Sequence, residues 1–250
     1  MCVIAVKPAG VKWPPVKYLR NCYWSNPDGA GLAWVDAKGL HIKKGYFTWA
    51  SLQQEFAALR DYPVILHCRI ATHGSVSTQN CHPFLLSNGV AMAHNGIIDV
   101  EPMDKDMTDS ETFGKRFIEK FTLEELGQPH IKELLELSIG YSKIALLSKD
   151  GTITILNEHL GDTFKGVLFS NESFEDRRKY NAFGYSHHED VPAKVKDAVA
   201  AASAANYAGK YDEYDEYDEY FNRYALGQDE EYVKDPFFVG IDSLGGGSKW

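Results

Sequence analysis

Short apolar runs separated by turn-forming residues are the feature of this sequence that most restricts its fold. Runs of strand length and composition lie at residues 3–6, 31–35, 40–46, 64–69, 90–94, 143–147, 152–156 and 167–171. Gly39 and Gly151 follow polar residues between neighbouring runs, a pattern that predicts hairpins. Because hairpins pair their strands antiparallel, we expect antiparallel sheets.

Helical periodicity appears in separate blocks between these runs. Residues 48–59 place Leu52, Phe56 and Leu59 on one face, with Thr48 as a candidate cap. Residues 109–121 predict a second helix, capped by residue 108 or 109, and residues 123–137 predict further helix. Sheets with helical blocks between them predict an α+β fold in layers. Periodicity alone leaves the number of sheets open.

Length and charge exclude several classes of protein. The chain has 250 residues, 44% of them hydrophobic, and a net charge of −9 from 26 Lys+Arg and 35 Asp+Glu. This acidic balance argues against broad nucleic-acid binding, which needs a basic face. No apolar run approaches the roughly 18–20 residues that span a bilayer, and the first residues lack a signal-peptide pattern. We therefore expect a cytoplasmic protein with no nucleic-acid or membrane partner.

The four cysteines are Cys2, Cys22, Cys68 and Cys81. In a cytoplasmic chain we expect free thiols rather than disulfides. No closely spaced cysteine pair of the zinc-site type is present, and nothing in the spacing requires Cys68, Cys81 and His82 to converge. We expect no metal and no cofactor.

The last part of the chain has a different composition. Residues 192–208 are alanine-rich, and residues 211–220 repeat Tyr-Asp-Glu without an aliphatic side chain. Such a repeat is typical of a solvated acidic linker or helix extension, and the alternative is a docking strip for a basic partner. We expect one domain over residues 1–190 and a helical, acidic tail over residues 191–250, with an apolar segment at 235–241.

Cys2 is the first candidate for chemistry. Removal of the initiator Met would leave it at the N-terminus, where the thiol and an α-amine of pKa about 7.7–8.0 share one residue. The amine is then a usable base, so no histidine partner is required. The alternative is a cysteine that merely begins a strand.

Three further segments offer groups that suit an amino acid substrate. Arg69 ends a strand and can grip a carboxylate with its planar fork, unless it forms a structural ion pair. Asn95 and Gly96 offer a side-chain amide and a backbone N–H that can hold an oxyanion, although Asn-Gly usually marks a turn. Asp109 can bind an ammonium group or cap a helix. His73, which follows Arg69 in the same segment, is a further candidate; the alternative is that it is a hydrogen-bonded histidine of the core.

Together these groups describe a site that hydrolyses the amide of an α-amino acid. The motifs that carry a family resemblance are Met1-Cys2 and residues 26–31, 69–74, 80–84, 94–98 and 108–111. With them the chain resembles the class II glutamine amidotransferases, which are N-terminal-nucleophile hydrolases. The resemblance covers roughly residues 1–185 and implies a four-layer αββα sandwich of two antiparallel sheets.

The resemblance also implies a role for each matched residue. The implied catalytic residues are Cys2 as nucleophile, with its own α-amine as base, and Asn95 and Gly96 as the oxyanion hole. The implied substrate-binding residues are Arg69 for the α-carboxylate, Asp109 for the α-amino group, and Thr72 and His73 as further pocket residues. Attack on glutamine would release ammonia and leave a γ-glutamyl thioester, which water converts to glutamate.

The sequence departs from the larger members of the family in three ways. Ile70 stands where they often have an aromatic residue, residues 26–31 read Asn-Pro-Asp-Gly-Ala-Gly, and we expect no acceptor domain to follow. The chain is more similar to stand-alone members, including small ones found in bacteriophages. This implies that the chain either supplies ammonia to a separate synthetase or other acceptor protein, with the acidic tail as one candidate contact, or acts as a simple glutaminase. The alternatives are a hydrolase of another γ-glutamyl amide and a catalytically inert structural or binding protein.

Overall fold

The computed structural model describes residues 2–71, 76–105 and 107–175. The strands are β1 (Val3–Lys7), β2 (Ala30–Asp36), β3 (Gly39–Tyr46), β4 (Val64–Cys68), β5 (Phe84–Leu85), β6 (Val90–Asn95), β7 (Lys143–Ser148), β8 (Ile153–Leu156), β9 (Asp162–Phe164) and β10 (Val167–Phe169). The helices are α1 (Val16–Ser25), α2 (Trp49–Gln53), α3 (Asp109–Arg116), α4 (Leu123–Leu126) and α5 (Pro129–Ile139), with 3-10 turns at Ile118–Lys120, Glu158–Leu160 and Glu172–Phe174. The predicted boundary at residue 190 and the tail lie outside the described residues.

The strands form two antiparallel sheets. One has six strands in the order β3-β2-β4-β1-β10-β9, and the other has four in the order β5-β6-β7-β8. The predicted hairpins are confirmed as β2–β3, which closes at Asp36 and Gly39, and as β7–β8. β1 is therefore a central strand, paired with β4 on one side and β10 on the other.

Alternation along β1 shows how the layers are built. Val3 and Ala5 pack in a cluster with residues of α1 and α2, whereas Ile4 and Val6 pack in a second cluster that contains residues of β6 and β7. Because successive strand side chains point to opposite faces, β1 separates a helical layer from the other sheet. A third cluster joins the four-stranded sheet to α3, α4 and α5. The predicted α+β, four-layer αββα sandwich is confirmed.

Some helix bounds differ from the sequence prediction. The helix expected over residues 48–59 ends at Gln53, because the N–H groups of Phe56 and Leu59 bond three residues back and form turns. Phe56 and Leu59 are buried nevertheless. The helix expected over 109–121 ends at Arg116 and continues as a 3-10 turn. α1, β5 and β9 were not predicted; α1 has no side-chain cap to mark its start.

Candidate active site

Four strand ends meet at one edge of the sandwich. The pairing of Val3 with Cys68 and of Ala5 with Phe169 places the start of β1 between the ends of β4 and β10. In the other sheet β6, which ends at Asn95, lies against β1. Antiparallel pairing therefore brings together residues 2, 69, 95 and 170, which are far apart in the sequence.

Cys2 lies directly before β1 and is partly buried. Its Sγ lies 3.6 Å from the carbonyl oxygen of Ile70, to which the thiol can donate. Its own carbonyl oxygen accepts a hydrogen bond of 2.7 Å from Asn171 Nδ2. Burial raises the pKa of the Cys2 thiol, and the nearby charge of Arg69 opposes this only in part. The thiol is therefore protonated near neutral pH and needs a base before it can act as a nucleophile.

The Asn95–Gly96 corner requires glycine. Gly96 has a φ of +145°, and a Cβ there would lie 2.2 Å from Ser142 Oγ. Ser142 is held by a hydrogen bond of 2.9 Å from its hydroxyl to the carbonyl oxygen of Ile97. A side chain at position 96 would therefore displace the corner that presents its backbone N–H.

The Asn95 side chain is only half satisfied. Asn95 is 2% exposed, and its Nδ2 donates to Ser170 Oγ over 2.8 Å. Its Oδ1 is buried and has no hydrogen-bond partner among the described residues. A buried polar atom left in this way costs about 1–3 kcal/mol, so the arrangement invites a functional explanation.

Arg69 is held through its backbone by the residue 26–31 loop. Its N–H donates to the carbonyl oxygen of Gly29 over 2.8 Å, and its carbonyl oxygen accepts from the N–H of Asp28 over 2.9 Å. Asp28 Oδ2 also accepts from the N–H of Ala71 over 2.8 Å. The Asn-Pro-Asp-Gly-Ala-Gly motif therefore fixes the chain on both sides of Arg69, whose side chain is buried at the cavity.

Asp109 is the first residue of α3 and not its cap. Thr108 caps the helix by accepting from the N–H of Glu111 over 3.1 Å, which leaves the Asp109 carboxylate for other contacts. Its Oδ2 accepts from the N–H of Ile98 over 3.0 Å, and its Oδ1 accepts from the N–H and Oγ of Ser110. These bonds fix a carboxylate beside the Asn95–Gly96 corner.

A cavity of about 790 Å³ joins these groups. Its lining includes Cys2, Arg69, Gly96 and Asp109, together with the buried His82 and His94. Four of the predicted site residues therefore share one cavity, whereas Asn95, the chain neighbour of Gly96, is buried and is not among the lining residues. Thr72 and His73 lie outside the described residues. The cavity presents a thiol, a guanidinium, a carboxylate and a backbone donor to the same space.

His67, His82 and His94, of which the last two line the cavity, form a buried network that was not singled out from the sequence. His67 of β4 donates from Nε2 to the carbonyl oxygen of His94 in β6 over 3.1 Å, which ties the two sheets together. His82 Nδ1 lies 2.9 Å from the same Nε2 and so accepts from it. Burial lowers the pKa of His67 to about 3 and of His94 to about 4, and also lowers that of His82. All three are neutral at pH 7. His67 and His94 could have been found in the sequence, because each is a histidine within an otherwise apolar strand.

The described residues show no group of three or more His, Cys, Asp and Glu arranged to hold a metal ion. Cys2, Cys22, Cys68 and Cys81 are all free thiols. In the same part of the chain, every helix is too short or too polar to cross a bilayer.

The family model described as glutamine amidotransferases class-II matches residues 20–156, which is more than half of the chain. The chain belongs to this family.

Relatives of this class-II glutamine amidotransferase domain are much longer than the chain. An amidophosphoribosyltransferase of Methanocaldococcus jannaschii is 32% identical over 116 residues, which are 44% of this chain and 24% of that protein. A glutamine–fructose-6-phosphate aminotransferase of Legionella pneumophila is 38% identical over 85 residues, which are 32% of this chain and 14% of that protein. The chain therefore spans about a quarter or less of the length of these relatives.

A solved structure of glutamine phosphoribosylpyrophosphate amidotransferase from B. subtilis, complexed with ADP and GMP, is similar to this chain with a TM-score of 0.45 and 18% identity. The similarity covers 72% of this chain and 43% of that one. The predicted family is confirmed by the family match, and the roles of individual residues stay predictions.

Proposed function

We propose that this protein hydrolyses the side-chain amide of glutamine through a thioester on Cys2, giving glutamate and ammonia. The observation that carries the proposal is the single cavity lined by Cys2, Arg69, Gly96 and Asp109. A guanidinium and a carboxylate suit the α-carboxylate and α-ammonium of an amino acid, respectively. A thiol in the same cavity then faces the side chain of the bound amino acid.

The first half of the proposed reaction forms the thioester. The raised pKa of the Cys2 thiol keeps it protonated near neutral pH. Once Met1 is removed, the free α-amine of Cys2 takes the thiol proton. Sulfur attacks the amide carbon, and the oxyanion is held by the Gly96 N–H and the Asn95 amide. The proton passes from the amine to the departing nitrogen, the C–N bond breaks and ammonia leaves.

The second half of the proposed reaction regenerates the thiol. The amine takes a proton from water, whose oxygen attacks the thioester carbon. The C–S bond breaks, the proton returns to sulfur and glutamate leaves. Glutamine and water therefore give glutamate and ammonia, and no external oxidant or reductant is needed.

We further propose that the ammonia serves a separate acceptor protein in the cytoplasm. The amidotransferase names of the relatives support an acceptor in general. The four free thiols support a reducing compartment. The acidic repeat at 211–220 is the candidate contact for that acceptor.

The test compares ammonia release from glutamine by the full chain and by Cys2→Ala. We expect the variant to lose at least about 10⁴-fold in kcat, because removal of a covalent nucleophile leaves only binding and oxyanion contacts. Cys22→Ala is the matched control: it removes a buried thiol on α1, away from the cavity, and should keep its kcat. Equal ammonia release by Cys2→Ala would exclude the mechanism.

Three measurements separate the alternatives. Mass spectrometry of the purified chain should show that Met1 is absent, since a peptide bond at Cys2 blocks the proposed base. The glutamine-like electrophile diazo-oxo-norleucine should add one label, at Cys2. If other γ-glutamyl amides are hydrolysed with a higher kcat/KM than glutamine, the substrate assignment is wrong and the nucleophile assignment stands.

A further inference from the structure

Ser170 and Asn171, the two residues after β10, extend the hydrogen bonding to β1 and Cys2 beyond the paired strands. The Ser170 N–H donates to the carbonyl oxygen of Ile4 over 2.9 Å. Beyond that bond, side chains replace backbone groups: Ser170 Oγ accepts from the Ile4 N–H over 2.9 Å, and Asn171 Nδ2 donates to the carbonyl oxygen of Cys2 over 2.7 Å. Cys2 lies outside the β1 ladder, so this bond is a direct tie between its backbone and the sheet.

Both ends of the Asn171 amide are in use, which fixes its orientation. Its Oδ1 accepts from the N–H of Ser173 over 3.0 Å and caps the following 3-10 turn. The Nδ2 end must therefore face the Cys2 carbonyl oxygen. An aspartate at this position would keep the bond from Ser173 but would have no proton to give to Cys2.

Ser170 connects the same support to Asn95 in the other sheet. Its Oγ already accepts the Ile4 N–H, so its single hydroxyl proton is available for an acceptor. The Asn95 amide, 2.8 Å away, has a buried oxygen without a partner among the described residues. A half-turn of this amide lets the Ser170 hydroxyl donate to Oδ1, which satisfies both groups. The Asn95 NH₂ then points away from Ser170, as an oxyanion donor must.

We infer that Ser170 and Asn171 are positioning residues: Asn171 fixes the nucleophile-bearing Cys2, and Ser170 fixes the Asn95 amide with its NH₂ toward the oxyanion. The inference rests on the proposed glutamine hydrolysis and adds two residues to it. One dipeptide at the end of β10 thus sets the distance between nucleophile and oxyanion donor. Neither side chain needs to touch substrate.

Asn171→Asp tests the first half. We expect kcat for glutamine to fall about 10²-fold, as misplaced reacting groups do, while KM changes less than about threefold. Asn88→Asp is the matched control, since Asn88 Nδ2 likewise donates to backbone carbonyls, those of Ile118 and Phe121, far from the cavity. It should lose stability without losing kcat. Equal kcat losses in the two variants would overturn the positioning role.

Ser170→Ala and Ser170→Thr test the second half. We expect alanine to lower kcat about 10²-fold, the usual effect of losing one oxyanion donor, and threonine to restore at least a tenth of the wild-type kcat through its hydroxyl. Unchanged kcat in a folded Ser170→Ala variant would overturn this role. So would a kcat of Ser170→Thr as low as that of Ser170→Ala.

Alkylation of Cys2 by iodoacetamide provides a measurement that does not depend on glutamine turnover. We expect Asn171→Asp to change the alkylation rate of Cys2 at least threefold, and Asn88→Asp to leave it unchanged. An inactive wild type would refute the proposed function, whereas an unchanged alkylation rate in folded Asn171→Asp would refute the role of Asn171. The two failures are therefore distinguishable.

Discussion

The polar groups at the two ends of β1 differ in how completely they are hydrogen-bonded. At the C-terminal end of the strand, the Lys7 ammonium is buried and donates to the carbonyl oxygens of Val11, Arg60 and Tyr62 over 3.0, 2.8 and 2.6 Å. Burial lowers the pKa of Lys7 to about 8, which still leaves it charged at pH 7. At the start of β1, one end of the neighbouring Asn95 amide and the Nε2 of His94 are buried without partners among the described residues.

This difference separates stability from function. Satisfied buried groups stabilise the fold, whereas buried groups left with free donors or acceptors lower stability and are ready for a ligand. Substitutions at the Lys7 end should therefore change the free energy of unfolding and spare catalysis. Substitutions at the Cys2 end should lower kcat.

Gly96→Ala should give the largest loss of catalysis among substitutions at the Cys2 end of β1. The added Cβ meets Ser142 Oγ at 2.2 Å, and the φ of +145° disfavours any side chain. We expect kcat for glutamine to fall about 10²- to 10³-fold, as for loss of an oxyanion donor. Gly39→Ala is the control, because Gly39 also has a positive φ, +114°, but open space around its Cβ. If both variants keep wild-type kcat, the corner is not part of the site.

Lys7→Met should lower stability at the other end of β1. Removing the ammonium leaves the carbonyl oxygens of Val11, Arg60 and Tyr62 without this donor and an apolar group in its place, so we expect a loss of about 3 kcal/mol in the free energy of unfolding. The kcat of the folded variant should stay within about twofold of wild type. Urea unfolding measures the first quantity. The exposed Lys17→Met should change stability by less than about 0.5 kcal/mol, and a loss as large as that of Lys7→Met would contradict the role of the buried bonds.

Much of the fold was readable from local pattern, and the cavity end only in part. The apolar run of β1 and the glycine turns predicted paired strands, and the motifs named Cys2, Arg69, Gly96 and Asp109. The supporting contacts were not predicted, because they join residues that are distant in sequence. The Ser170–Asn95 bond spans 75 positions and the Asn171–Cys2 bond spans 169. No short-range periodicity carries such pairing.

Acid should destabilise the network of buried histidines at the cavity. His67 and His94 have folded pKa values of about 3 and about 4, below the unfolded value of about 6.5. Below pH 6.5 the unfolded chain binds more protons, so stability is lost as pH falls toward 4 and then 3. We expect a loss of about 2 kcal/mol per histidine by pH 5. His67→Gln should flatten the pH dependence measured by urea unfolding, whereas exposed His130→Gln should leave it unchanged.

Arg69→Lys should give the smallest effect and the most specific one. Lysine keeps the positive charge but cannot form two parallel hydrogen bonds with a carboxylate, so binding should weaken more than chemistry. We expect KM for glutamine to rise about tenfold while kcat falls less than about threefold. Steady-state kinetics of ammonia release separate the two quantities.

Arg20→Lys is the matched control for this last prediction. Arg20 is also buried, but it lies on α1 with its guanidinium 4.8 Å from the centre of the Trp24 ring, away from the cavity lining. Its replacement should lower stability and leave KM unchanged. If Arg69→Lys behaved in the same way, Arg69 would be a structural group like Lys7. The cavity would then lack the proposed group that binds the substrate α-carboxylate. A rise in KM confined to Arg69→Lys would instead place the substrate at the Cys2 end of β1.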